Sequence, residues 1–300
     1  VNDPRDHHVV PQFFLRNFAI DEARTKVTTV AKNGRMAVWK ERSIKGLGFE
    51  RDFYVHMAGG RPVSVETAIN KYVETPISQS DTWAKISSVR SDALDRTDRP
   101  ILYALVRHLE ARNPHYRDTA RRLAAKAADP ASQMPFSAEE RAIYAQDRAN
   151  PKRASAILNM MAVNPFNAYD YDRALIVVGR SPIRLRSSTT PAIALRSPPH
   201  PAIDMPLPGM VPFQRVLNVN PYTMVSVAVG DFDGHLANLE LDHDTAKGLN
   251  RTFAGHFCKF RQVRHLITGR DRLVEDMLWA PYDLISDTPA KLVFRRKDGK

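Results

Sequence analysis

The sequence predicts an α+β fold, and three observations carry the prediction. A β-branched hairpin pattern lies near the start, helical spacings fill the middle, and short apolar or alternating runs return after about residue 170. A chain of 300 residues with 43% hydrophobic content can bury a sizeable core. We expect one α+β domain over 1–300, with a helical subregion at about 64–165 and a β-rich one at about 170–280.

The first element is a short helix. In His7-His8-Val9-Val10-Pro11-Gln12-Phe13-Phe14-Leu15-Arg16-Asn17-Phe18, Pro11 suits the first helical position and Val10 the cap. Val10, Phe14 and Phe18 recur every four residues and, with Phe13, should dock the helix on the helical middle, while Gln12 and Arg16 share a polar face. Next, Lys26 to Lys32 alternates, Asn33-Gly34 is turn chemistry, and Arg35 to Trp39 returns as the second arm of a hairpin. A loop over Ile44 to Phe49, a strand over Asp52 to His56 and a turn at Gly59-Gly60 are expected to follow.

Helical spacing then covers Val65 to Glu74, Ser80 to Leu94, Pro100 to Ala111, His115 to Ala128, Ser137 to Arg148 and Pro151 to Val163. Ser137 and Glu140 have capping-box spacing. Strands are predicted at Ala174 to Val178, Pro191 to Leu195, Arg215 to Val219, Met224 to Val229 and Leu236 to Leu241, forming an antiparallel or mixed C-terminal sheet. The proline-rich stretch Ser197 to Phe213 should be a long loop, Asp231 to Gly234 a hairpin turn, and Asp244 to Phe257 a closing helix.

Composition excludes several classes. The single cysteine, Cys258, rules out a disulfide framework, and no apolar run is long enough to span a bilayer. The residues at the start carry no secretion signal pattern, so a cytoplasmic location is expected. A net charge of +11 favours an anionic partner, either nucleic acid or an acidic protein, over a membrane. No cofactor motif is present, and no metal-ligand spacing is met: Asp231 and Asp233 read as turn residues, Asp242 or Asp244 as a helix cap.

Four residues have the chemistry of a phosphodiester-cleaving site. His8 is the candidate acid or base, Arg16 and Arg112 could stabilise developing negative charge, and Glu66 could orient His8. Glu74, further along the same helix, reads as a solvated residue. Arg107, Arg117, Arg121 and Arg122 belong to the densest cationic stretch and are the candidate nucleic-acid contacts. A second basic stretch runs from Lys259 to His265. Cys258 reads as a bystander thiol.

The segment His7 to Phe18 resembles the N-terminal hallmark of the domain of unknown function 4238 family. Asp52-Phe53-Tyr54 with Ser64-Val65-Glu66 is similar to that family's aromatic strand and acidic helix, and Arg107 with Arg112-Asn113-Pro114 to its central corner. Ser187-Ser188-Thr189-Thr190-Pro191 resembles its Thr-Ser-Asp-x-Pro strand end, with Thr189 at the acidic position, and Asn250 sits in a matching helix. The resemblance implies a bacterial or phage-associated intracellular protein in which His8, Pro11, Arg16, Glu66 and Arg112 are family-type positions. A nucleic-acid phosphodiesterase and a non-catalytic nucleic-acid- or protein-binding module are the two functions expected.

Overall fold

Two sheets organise the chain: the five-stranded one draws its strands from 174–240, and the six-stranded one from both ends and the middle of the sequence. The computed structural model describes residues 6–33, 36–51, 55–58, 61–88, 94–114, 122, 125–132, 136–149, 172–195, 214–230, 232–260, 262–269, 282–288 and 291–297. The architecture is α+β.

Strands β1 (Asp6–His8) and β4 (Phe49–Arg51) pair antiparallel, opposing His8 to Phe49. The predicted hairpin forms as β2 (Lys26–Asn33) and β3 (Met36–Ser43), with Asn33 opposite Met36, and a further pair is β5 (Val55–Ala58) with β6 (Arg61–Ser64). Of the strand expected over Asp52 to His56, residues 52–54 lie outside the described residues, as does the Gly59-Gly60 turn. The loop expected up to Phe49 instead ends in β4.

The later strands are β7 (Ala174–Arg180), β8 (Ser187–Ser188), β9 (Ala192–Leu195), β10 (Gln214–Asn220), β11 (Thr223–Val229), β12 (Leu236–Glu240), β13 (His265–Thr268), β14 (Tyr282–Thr288) and β15 (Lys291–Arg296). The five-stranded sheet has the order β12-β7-β11-β10-β9, with β12 parallel to β7 and the other pairs antiparallel. The six-stranded sheet has the order β14-β15-β3-β2-β13-β8.

One expectation is corrected here. Asp231 to Gly234 does not close a hairpin, because β11 and β12 lie on opposite sides of β7; Asp233 and Gly234 adopt positive φ and redirect the chain across that strand. The expected N-terminal hairpin is built into a larger sheet. It forms the centre of the six-stranded sheet, flanked by β15 and β13 from the other end of the chain.

The helices are α1 (Gln12–Leu15), α2 (Glu66–Ile69), α3 (Thr75–Ser78), α4 (Asp81–Ser87), α5 (Arg99–Ala111), α6 (Ala138–Ala149) and α7 (His243–Lys259). Pro11 is the cap of α1 rather than its first residue: its ψ is 140°, and its carbonyl accepts the Leu15 N–H. A single π turn, Asn70–Glu74, joins α2 to α3. Ser80 caps α4, which stops at Ser87, and Asp242 caps α7 by accepting the Thr245 N–H at 2.6 Å. The Ser137–Glu140 capping box forms at the start of α6. The predicted helix 151–163 and loop 197–213 lie outside the described residues, as does most of the helix predicted at 115–128.

One core joins Phe14 and Phe18 to Tyr103 and Leu105 of α5 and to Ile176, Leu217 and Val225 of the five-stranded sheet. Phe13 lies edge-on to Trp83 at 4.9 Å, so the short helix docks on the helical middle as its spacing predicts. A second core packs Phe253 and Phe257 of α7 against Val30, Trp39 and Leu266 of the six-stranded sheet and Val216 of the other. Alternation then dictates that the opposite face of β3 carries Val38, Lys40 and Arg42.

Candidate functional site

Glu66 opens α2 and is almost fully buried, because β6 and β1 lie over the helix start. The Ser64 hydroxyl accepts the Glu66 N–H and meets Nε2 of His7 at 3.3 Å. The His8 backbone hydrogen-bonds the Glu66 carboxyl, whereas the His8 ring turns to Gln12, whose amide donates to its Nε2 at 3.0 Å. Glu66 thus holds the backbone of His8 while Gln12 orients its ring. Among the described residues, Glu66 Oε2 is buried with no hydrogen-bond partner.

Arg112, the last residue before the α5 corner, is completely buried. Its Nη1 ion-pairs with Glu74 and lies 2.8 Å from His108 Nε2. Burial opposes ionisation of Glu74, but the Arg112 charge and hydrogen bonds from His108 and Arg112 hold its carboxyl at about 2. Glu66 responds in the opposite direction. Burial pushes it up to about 7, with Glu74 adding to the rise and Arg112 opposing it.

Glu66 and Arg112 are therefore brought into one electrostatic cluster with Glu74 and His108, which His8 joins through its backbone only. Glu74, which the sequence presents as solvated, is tied into a buried pair because the π turn carries it towards α5. Arg16 is not in the cluster: it is exposed on the turn that follows α1, where its carbonyl accepts from Arg24. Arg107 is half-buried and donates to Glu110, which also receives Arg215 at 2.6 Å, so it serves an internal ion network. Arg122 is exposed, and Arg117 and Arg121 lie outside the described residues.

A cavity of about 170 Å³ is lined by chain neighbours of His8 and Arg112 but by none of the cluster's own residues. Val9 from the first motif, Pro114 from the α5 corner and Thr189 from the strand end meet in its wall, so three segments far apart in sequence converge there. Thr189 ties itself to β13: its N–H donates to the His265 carbonyl, and its hydroxyl accepts the His265 N–H at 3.1 Å. Asn250 of α7 holds the approach to this segment through the Arg186 N–H and the Arg184 carbonyl.

Residues 6–194, more than half of the chain, match the model of a family described as Protein of unknown function (DUF4238). The chain belongs to the DUF4238 family. No curated protein and no solved structure was found to match it. The three convergent segments all fall within the DUF4238 match.

Arg264 and His265 line the cavity and also a larger groove of about 880 Å³. That groove contains Lys32, Lys40, Arg42, Lys259 and Lys291 as well, and no carboxylate among its described lining residues. Lys32 is committed to the carbonyls of Phe257 and Phe260 at the end of α7. Arg42 Nε is buried without a hydrogen-bond partner among the described residues, and burial lowers the guanidinium's pKa. Burial, with Arg42, Arg264 and Lys40 around it, lowers His265 to about 4, which keeps the imidazole neutral at physiological pH. Lys40, Arg42 and Lys291 are the residues sequence reading misses, and His265 enters it only as the end of a basic stretch. The legible signals were the alternation Val38-Lys40-Arg42, which places both cations on one strand face, and the basic stretch ending at His265.

No helix among the described residues is long and apolar enough to cross a membrane, and no group of three or more potential metal ligands occurs among them.

Proposed function

We propose that this protein binds nucleic acid through the basic groove. The observation supporting this reading is the groove's composition: six cationic side chains from β2, β3, β15, α7 and the segment before β13, with no carboxylate among its described lining residues, although Arg264 at its margin lies 3.8 Å from Glu50. Like charges gathered on one concave surface cost stability and focus a positive potential, which suits a chain of phosphates. Of the cationic stretch expected as the interface, Arg107 is turned to Glu110, whereas Arg122 is exposed and Arg117 and Arg121 lie outside the described residues.

The test is oligonucleotide affinity across a salt series. A log–log slope of about −0.7 per neutralised phosphate is expected for a single strand, and Lys40→Ala with Lys291→Ala should reduce its size by about 1.4. A flat salt response, or a double variant that binds like the parent, overturns the proposal. Stronger binding of an acidic peptide than of oligonucleotide at equal charge would assign the groove to a protein partner instead.

Hydrolysis of a phosphodiester is the second reading, favoured by Glu66, whose buried carboxyl near 7 is poised for proton transfer although it lies outside the lining of the cavity. In this reading His8 and Glu66 carry protons and Arg112 fixes the charge around them. Turnover of labelled RNA and DNA should fall at least tenfold in both His8→Ala and Glu66→Gln. Turnover unaffected by either change sinks this reading and leaves the binding reading standing.

A further inference from the structure

We propose that the 170 Å³ cavity is a base-binding subsite, which makes the ligand a single-stranded nucleic acid with one unpaired base on Phe49 and its phosphates along the groove. The inference rests on the groove reading and adds the ligand's strandedness.

Four observations support it. First, cavity and groove share Arg264 and His265, so a chain following the cations reaches the cavity without leaving a lined surface. Second, Phe49 lines the cavity and is 39% exposed, a large apolar ring left accessible on a three-residue strand. A base can stack on such a ring whatever its identity. Third, charge divides the two spaces. Glu50 lines the cavity, 3.8 Å from Arg264 at the junction, whereas no carboxylate lines the groove among its described residues. A carboxylate repels phosphate but accepts hydrogen bonds from a base's exocyclic amine, so the cavity suits the base and the groove suits the backbone. Fourth, Gly48 forms part of the wall with φ +65°, and a Cβ there would stand 2.8 Å from the Val10 Cβ. The close approach of these two segments shapes a recess for one base; a paired, stacked duplex cannot enter it.

The experiment compares four ligands on the full chain at one salt concentration: a single-stranded oligonucleotide, the same oligonucleotide made abasic at every position, its duplex, and inorganic polyphosphate of matched charge. Binding is read by anisotropy for the three oligonucleotides and by competition for polyphosphate. The single strand should bind about tenfold more tightly than the abasic strand or the duplex, and Phe49→Ala should remove that advantage while leaving polyphosphate affinity unchanged. Phe49→Tyr should retain it, which separates stacking from a folding defect. Cys258, the only cysteine and a groove residue, should be protected from alkylation by both strands and by polyphosphate. Equal affinity for the intact and abasic strands, or no effect of Phe49→Ala on the single strand, overturns the base subsite while the groove reading survives. Failure of all four ligands to bind or to protect Cys258 overturns both.

Discussion

Lys40 and Lys291 stand directly opposite each other on neighbouring antiparallel strands. Like charges at opposed positions weaken a sheet, and here Arg42 follows on the same strand face. Lys291→Glu should therefore stabilise the fold by roughly 0.2–1 kcal/mol while weakening oligonucleotide binding. Thermal unfolding and a binding titration on the same preparation check the two opposite signs. If stability and affinity fall together, the pair has a structural role that the charge argument misses.

The Arg112–Glu74 pair predicts a larger effect. Arg112 is wholly buried and the Glu74 side chain only 16% exposed, so removing Arg112 leaves Glu74 as a largely buried, uncompensated charge. Arg112→Ala should cost about 3–5 kcal/mol in urea unfolding. The double change Arg112→Met with Glu74→Gln should recover much of that loss, because no buried charge is then stranded. Equal destabilisation by the single and double variants would mean that packing, not charge, dominates.

Gly48 joins the first motif to the cavity through the Val10 N–H, which donates to the Gly48 carbonyl at 2.9 Å. Gly48→Ala introduces both a positive-φ penalty and the contact with Val10, and should destabilise by about 1–3 kcal/mol. Chemical denaturation measures this directly. A neutral result would show that the β4 segment shifts freely, and the cavity wall with it.

Local chemistry was legible in the sequence, and long-range pairing was not. Alternation and turn residues specify the β2–β3 hairpin within fourteen positions, from Lys26 to Trp39. The α6 capping box and the helix that Asp242 caps are equally local signals. Nothing in either arm of the hairpin specifies that β15 and β13 will flank it, since partner choice depends on which apolar faces share a core. The site follows the same division. His8, Glu66 and Arg112 were accessible as residue types near motif segments, whereas the groove needs Lys40 and Lys291, which meet only after the six-stranded sheet assembles. Arg16 shares a motif with His8 but not a direction, because the turn after α1 carries it into solvent.

The two carboxyls of the buried cluster predict opposite pH responses. Glu74 is depressed from 4.5 to about 2, so its contribution is fully present above pH 4.5 and is lost as pH falls towards 2. Glu66 is raised from 4.5 to about 7, so the folded state binds its proton more tightly than the unfolded state does. Its contribution is full below pH 4.5 and is lost as pH rises through 7, on the order of 3 kcal/mol across that interval. Glu66→Gln keeps a neutral, hydrogen-bonding side chain at all pH values and should flatten the stability profile between pH 5 and 8. The parent should lose stability through that interval and the variant should not, as measured by denaturant midpoints at half-unit steps. Parallel profiles for the two proteins would show that Glu66 stays ionised beside Arg112, and would remove it as a proton carrier in the hydrolytic reading.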